Sequence, residues 1–182
     1  MAVYEPLEEG VEVNGRTVLT VVEGLADINE DFREKALRIL AENGISDPQP
    51  GEWYPQKAWL QGFKEIDREL NDTALWNIGK QIPNNAKWPD DVTTPAEGLD
   101  SIDDAYHMNH RNGKIGHYAF EKTGEGEGKM VCDNPYPCKF DKGICMGIVE
   151  KFGDMTTFLS IEEDEDHCRM EGDDKDIYYL SW

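Results

Sequence analysis

Apolar positions in this chain change spacing several times, and each change marks an element. Val11 and Val13 alternate with Glu12, Asn14-Gly15 follows, and the run Thr17–Val22 is again rich in β-branched residues. That order predicts a β-hairpin with a type I′ turn. From about Ile28 to Asn43 the spacing becomes helical, with Phe32, Leu37 and Leu40 on one face, Asp27 and Glu30 as a capping box and Gly44 as the stop. Pro48, Pro50 and Gly51 mark a loop. Trp59, Phe63, Ile66 and Leu70 define a second helix beginning near Pro55. Leu75, Trp76, Ile78 and Ile82 define a third, capped by Asp72 and ending before Pro83. After a polar stretch, Thr94-Pro95-Ala96-Glu97 opens a fourth helix to about Arg111, with Leu99, Ile102, Tyr106 and His110 as its stripe.

The remaining chain reads differently. Strands are predicted over Lys114–Lys122 and Lys129–Cys132, joined by a tip of alternating Gly and Glu. Asn134, Pro135 and Pro137 break the second strand, and Phe140, Ile144, Ile148 and Phe152 form a helix face that Gly153 ends. Met155–Ile161 and Ile177–Trp182 are the last two strands, linked by the acidic segment Glu162–Asp176. The fold class expected is α+β: N-terminal helices (about 1–94) packed on a C-terminal antiparallel sheet (about 95–182) in β-β-α-β-β order, within one domain and without internal repeats.

Charge narrows the function. The 182 residues carry 38 acidic against 18 basic side chains, a formal charge of -20. Neither nucleic acid nor an anionic membrane surface suits that balance, because both need a basic footprint. The first ten residues lack the apolar run of a signal peptide, and no stretch is long enough to span a bilayer, so a cytoplasmic location is expected. Four cysteines in that setting are expected to be reduced thiols.

Cys138, Glu165, Cys168 and Asp176 are the candidate metal ligands. Thiolates and carboxylates of this kind suit a divalent cation, zinc first, and four of them meet the tetrahedral demand of a structural site. Cys132 and Cys145 read as ordinary core thiols. No phosphate-cradling loop, nucleophile elbow or metalloprotease helix occurs, so binding or sensing is expected and catalysis is not.

Cys138 with Gly143, the step Glu165-Asp166-His167-Cys168, Gly172 and the strand Ile177-Tyr178-Tyr179-Leu180 together resemble the core of 4-vinyl-reductase-like (4VR) domains. That fold is shared more distantly with haem-binding H-NOX domains and TRAPP-type trafficking subunits, and the resemblance covers about residues 95–182. In the metal-binding members the matching positions hold zinc, which implies Cys138, Glu165 and Cys168 as ligands here, with Asp176 standing where those members have a final Cys. In the haem-binding members a proximal His lies in the segment that resembles Leu99–Asp104, where this chain has Asp103 and Asp104. Their Tyr-x-Ser-x-Arg propionate clamp is replaced by Val131–Pro135. The resemblance therefore implies zinc and disfavours haem. His107 and His110 are expected at a helix surface or core edge, and His117 in a pocket wall or in water.

Aromatic residues supply the other candidate site. Trp59, Phe63 and Trp76 on the helices, with Tyr106 and His110 on the fourth helix and Tyr118 and Phe120 on a strand, are expected to line a cleft for a hydrophobic small molecule. The expected function is a small-molecule binding or sensing domain with a structural metal. It would signal through a second copy or a separate output protein. The alternatives are a dimerisation module without ligand and a haem or non-haem metal protein.

Overall fold

The structure is a computed structural model that describes residues 3–26, 29–70 and 73–182. The expected caps at Asp27 and Asp72 and the expected helix start at Ile28 lie outside the described residues. Strand β1 (Glu12–Asn14) leads straight into helix α1 (Gly15–Ala26), followed by α2 (Glu30–Glu42), β2 (Trp53–Pro55), α3 (Gln56–Glu69) and α4 (Ala74–Asn85). Two short helices, α5 (Pro95–Asp100) and α6 (Ile102–Met108), precede β3 (His110–Arg111). The second half runs β4 (His117–Gly124), β5 (Glu127–Asp133), α7 (Cys138–Phe152), β6 (Ser160–Glu163), a 3-10 turn at Arg169–Glu171, and β7 (Asp176–Ser181). The mixture of helices with antiparallel sheet is the α+β class expected.

The hairpin expected at residues 11–22 does not form. Val18, Val21 and Leu25 are all fully buried, at the three- and four-residue spacing of a helix face. The Asn14 side chain accepts from Arg16 N at 3.0 Å and opens the helix instead of a turn. β1 pairs with β2 on one side and β3 on the other, so its partners lie about 40 and 100 residues onward in sequence. Helical packing has overridden the strand preference of a β-branched run.

α4 also continues past its expected stop, with Pro83 inside its last turn. Proline forfeits one backbone hydrogen bond there. The Pro83 carbonyl takes a bond from Lys151 Nζ at 2.5 Å, tying the helix end to α7. Along its length α4 packs against both α1 and α7. Gly79 and Gly143 make the second contact close: a Cβ on Gly79 would strike the Phe140 carbonyl, and one on Gly143 the Trp76 carbonyl.

The helix expected from 95 to 111 is broken in two. The Thr94–Glu97 capping box forms as expected. Ser101 then interrupts it, its hydroxyl donating to Gly98 O at 2.9 Å and accepting from Trp88 Nε1 at 2.9 Å. His110 thereby leaves the helical stripe and enters β3, opposite Val13. The larger sheet has the order β4-β5-β7-β6 and is antiparallel throughout. Tyr118, Met130, Cys132, Tyr178 and Leu180 face inward from it, with α7 between the sheet and α4. β6 is shorter than the strand expected over Met155–Ile161 and starts later, because Asp154 folds residues 154–157 into a turn by accepting from Thr156 N and Oγ1 and Thr157 Oγ1.

Candidate functional site

The inner ends of α1, α4, α6 and α7 meet β3 and β4 around one small cavity of about 30 Å³. Ile82, Ala86, Ile102, Ala105 and Ile144 give it an apolar wall, and Tyr106, Tyr118, Tyr136 and Phe140 an aromatic one. Thr17, Asn109 and His110 are its polar members. The Thr17 hydroxyl is buried without a partner among the described residues.

Position in β3 fixes the chemistry of His110. Nδ1 lies 2.8 Å from the Tyr106 carbonyl, and Nε2 lies 2.7 Å from the Tyr136 hydroxyl. A carbonyl can only accept, so Nδ1 carries the proton and the lone pair is on Nε2, where Tyr136 O–H donates to it. Burial lowers the His110 pKa to about 4, against a partial opposing effect of the Tyr106 carbonyl. The imidazole is therefore neutral at pH 7, with one ring nitrogen oriented by a backbone carbonyl and the other presenting a lone pair. That is the state in which imidazole binds a metal.

The cavity wall continues into a buried ionic cluster. Tyr118 OH donates to Asp141 Oδ1 at 2.6 Å. The other oxygen of Asp141 accepts from Arg169 Nη2, and Arg169 Nε donates to Asp176 Oδ2 at 2.8 Å. Arg169 Nη1 donates to both the backbone and side-chain oxygens of Asn134. Asn134 Oδ1 in turn accepts from Tyr136 N at 2.8 Å, which returns to the cavity. Asp141, Asp176, Asn134 and Arg169 are all buried. Burial raises Asp141 to about 6, with Arg169 pulling it back. Two carboxylates around one guanidinium explain why Arg169 keeps its charge without water.

The residues expected to line the cleft separate into three groups. Tyr106, His110 and Tyr118 are in the cavity wall. Trp59 and Phe63 are buried behind it, in edge contact with each other at 4.5 Å, and Phe63 packs on Phe140 at 5.0 Å. Trp76 is half-buried on α4, and Phe120 lies further along β4 against Trp182, so neither reaches the cavity. Tyr136, between Pro135 and Pro137, and Phe140, just past the start of α7, are central to the wall and gave no pocket signal in sequence. Arg169 sits in an acidic run that reads as a solvated loop.

Of the expected metal ligands, Cys138, Cys168 and Asp176 converge, with one ligand atom from each within 4.8 Å of the others. Glu165 is exposed and outside that group. The Asp176 carboxylate is already bonded to Arg169, and burial followed by Asp176 itself keeps the Cys138 thiol well above its usual pKa. The positive charge that a metal would bring is supplied by the guanidinium.

No protein-family model matches the chain. No curated protein matches it either. Solved structures do. An H-NOX protein from S. oneidensis in the Fe(II)NO ligation state is 12% identical over 92% of this chain and 98% of its own, with a TM-score of 0.66. The H-NOX domain from Shewanella oneidensis in the Fe(II)CO ligation state is 13% identical over 93% and 97%, with a TM-score of 0.62. A structure solved to probe haem distortion in the H-NOX family is 16% identical over 93% and 94%, with a TM-score of 0.67. The chain has the H-NOX fold. The likeness spans both halves, including the N-terminal helices that the sequence resemblance left out. It also overturns the order of cofactors expected from sequence, in which zinc came first and haem was disfavoured. Asp103 and Asp104 stand in the segment where the resemblance puts the histidine of haem-binding members, and the fold carries His110 into the cavity wall by ending α6 early.

Proposed function

We propose that this chain is a small-ligand-sensing domain, that the cavity beneath α6 is its ligand centre, and that haem is the group it would accept, held through His110 Nε2. The single observation that carries this reading is the state of His110: buried, neutral, fixed at Nδ1 and holding a lone pair toward an aromatic wall. The donor chemistry fits haem iron, which would supply a coordination position for a diatomic ligand. The apolar and aromatic lining fits a porphyrin face. The open space of about 30 Å³ holds one water, so loading requires the Tyr106–Tyr118–Tyr136 wall to part from α4.

In this reading the chain's own residues divide the work. Tyr106 O orients the imidazole, Ile102 and Ile144 exclude water, and Tyr118 ties the wall to Asp141. Cys138, Cys168 and Asp176, with Arg169, join the C-terminal loop to α7. Output passes to a second copy or a separate protein. Among the described residues no helix is long and apolar enough to cross a membrane. The 4VR likeness rests on the Glu165–Cys168 step.

Titration of the purified protein with haemin, followed by absorption in the Soret region, tests the reading. A sharp end point at one haemin per chain, lost in His110→Ala, is the expected result. Featureless uptake that is equal in both proteins would count against it.

A further inference from the structure

The two edges of the larger sheet are finished differently. At β4 the register breaks between Lys122 and Gly124, which blunts that edge. β6 has β7 on one side and, among the described residues, no strand on the other. Glu162 pairs with Tyr179, and two residues on Asp164 N donates to Ile177 O at 2.9 Å. Backbone groups of an antiparallel strand alternate between its two sides, so Ser160, Glu162 and Asp164 bond toward β7. The N–H and C=O of Ile161 and Glu163 therefore point out along the open edge.

The two most exposed large apolar side chains among the described residues stand just before this strand: Met155 is 99% exposed and Phe158 81%. The turn that presents them is tied internally. Asp154 Oδ1 accepts from Thr156 N at 2.7 Å and Thr156 Oγ1 at 2.6 Å, and Asp154 N donates to Thr157 Oγ1 at 3.1 Å. Phe158, Ser160 and Glu162 are exposed while Leu159 and Ile161 between them are half-buried, so Phe158 and Glu162 share a face. Five acidic residues then follow one another from Glu162 to Asp166. Glu163 is paired with Lys142 of α7, and Glu162, Glu165 and Asp166 are exposed.

We infer that the β6 edge is a docking strand for a separate protein, which adds an extended basic segment to the sheet and seats its apolar side chains against Met155 and Phe158. Backbone pairing supplies the attachment, the two apolar side chains anchor its end, and the carboxylates select a cationic partner. A second copy of this chain is the wrong occupant. Pairing two β6 strands would set Glu162 and Glu163 close to their equivalents, on chains that each carry a formal charge of -20. Acidic side chains at an edge deter self-pairing, but they give no reason for a phenyl ring and a thioether to stand in water beside it. None of these residues lines the cavity. As an output surface the edge rests on the sensing reading; as a binding surface it stands without it.

A blocked peptide of alternating lysine and valine is the probe, since it is extended, basic and apolar on one face. It is titrated by calorimetry at low ionic strength, without haemin, into wild type, Phe158→Ala and Glu162→Lys, and wild-type amide exchange is followed with and without it. Both substituted side chains are exposed, so the variants should keep the wild-type urea midpoint. Binding should weaken about tenfold in Phe158→Ala and about fivefold in Glu162→Lys. Exchange should slow most at Ile161 and Glu163, the alternate amides that face the open edge. A peptide with glutamate in place of lysine, or with alternate backbone nitrogens methylated, should not bind. No binding to wild type, equal binding to Phe158→Ala, equal binding of either control peptide, or protection elsewhere in the chain would overturn the docking strand. So would a wild-type dimer in sedimentation that Phe158→Ala separates, because the occupant would then be a second copy. With no haemin present, failure here leaves the cavity to be judged by its own titration.

Discussion

His110 and Arg169 are both buried basic side chains, and the protein treats them in opposite ways. Around His110 the partners are a carbonyl and a phenol, so nothing offsets the cost of a charge, and desolvation leaves the ring neutral. Around Arg169 two carboxylates and an amide oxygen are arranged so that the charge survives at equal depth. Burial alone therefore does not decide protonation; the partners do. The difference assigns the roles, since a neutral lone pair can bind an incoming group while a saturated guanidinium can only tie elements together.

Breaking the ionic side should have the largest effect. Arg169→Met leaves Asp141 and Asp176 buried without their cation, and should lower unfolding free energy by about 3–5 kcal/mol in urea titration. Adding Asp141→Asn and Asp176→Asn to it should recover much of that loss. If the triple variant is no better than the single one, Arg169 acts by packing and the contrast with His110 fails.

The second test uses pH. The folded pKa of His110, about 4, lies below the unfolded value of about 6.5, so the unfolded chain binds the extra proton between them. Stability from this group is complete above the unfolded value and is lost as pH falls toward the folded one, by roughly 2 kcal/mol between pH 7 and 5. Asp141 works the other way. Its folded pKa of about 6 lies above the unfolded value, so the folded state takes up the proton and gains roughly 1 kcal/mol over the same interval. Urea unfolding at both pH values should show a net loss in wild type that disappears in His110→Gln and grows in Asp141→Asn. A His110→Gln protein as acid-sensitive as wild type would remove the neutral imidazole.

Tyr118→Phe is the mildest change. It removes the hydroxyl by which the cavity wall holds Asp141 Oδ1 and should cost about 1–2 kcal/mol, read as a lower midpoint in urea. No change would mean that wall and cluster are energetically separate.

Much of the scaffold was legible in sequence because long amphipathic periods survive any tertiary context. The faces of α2, α3, α4 and α7 follow from the spacing of Leu40, Trp59, Phe63, Ile78, Ile144 and Ile148, and the Thr94 capping box forms where Thr94 and Glu97 predict it. Failures came where a short signal was overruled at a distance. Asn14-Gly15 carries the signature of a hairpin turn, but β1 finds its partners in β2 and β3 and leaves Val18, Val21 and Leu25 to a helix. Ser101 hides a helix break, because its use as a partner for Trp88 depends on a residue 13 positions away.

The site was legible only in pieces. Tyr106 and Tyr118 lie in apolar patterns that place them inside, whereas His110 comes inside only through its place in β3, and Tyr136 lies between prolines that read as a breaker. Of the four expected metal ligands Cys138, Cys168 and Asp176 converge, and Glu165 stays exposed and apart from them. Arg169 could not be seen as their partner, since it follows five acidic residues in a stretch of seven and nothing local marks it for burial.

Imidazole rescue of a cavity variant tests the central claim most directly. His110→Gly should lose the Soret band that wild type shows on adding haemin, and free imidazole should restore it by occupying the vacated position. A His110→Gly protein that keeps the wild-type band without imidazole would contradict His110 as the ligand and, with it, the reading of the cavity as the sensing centre.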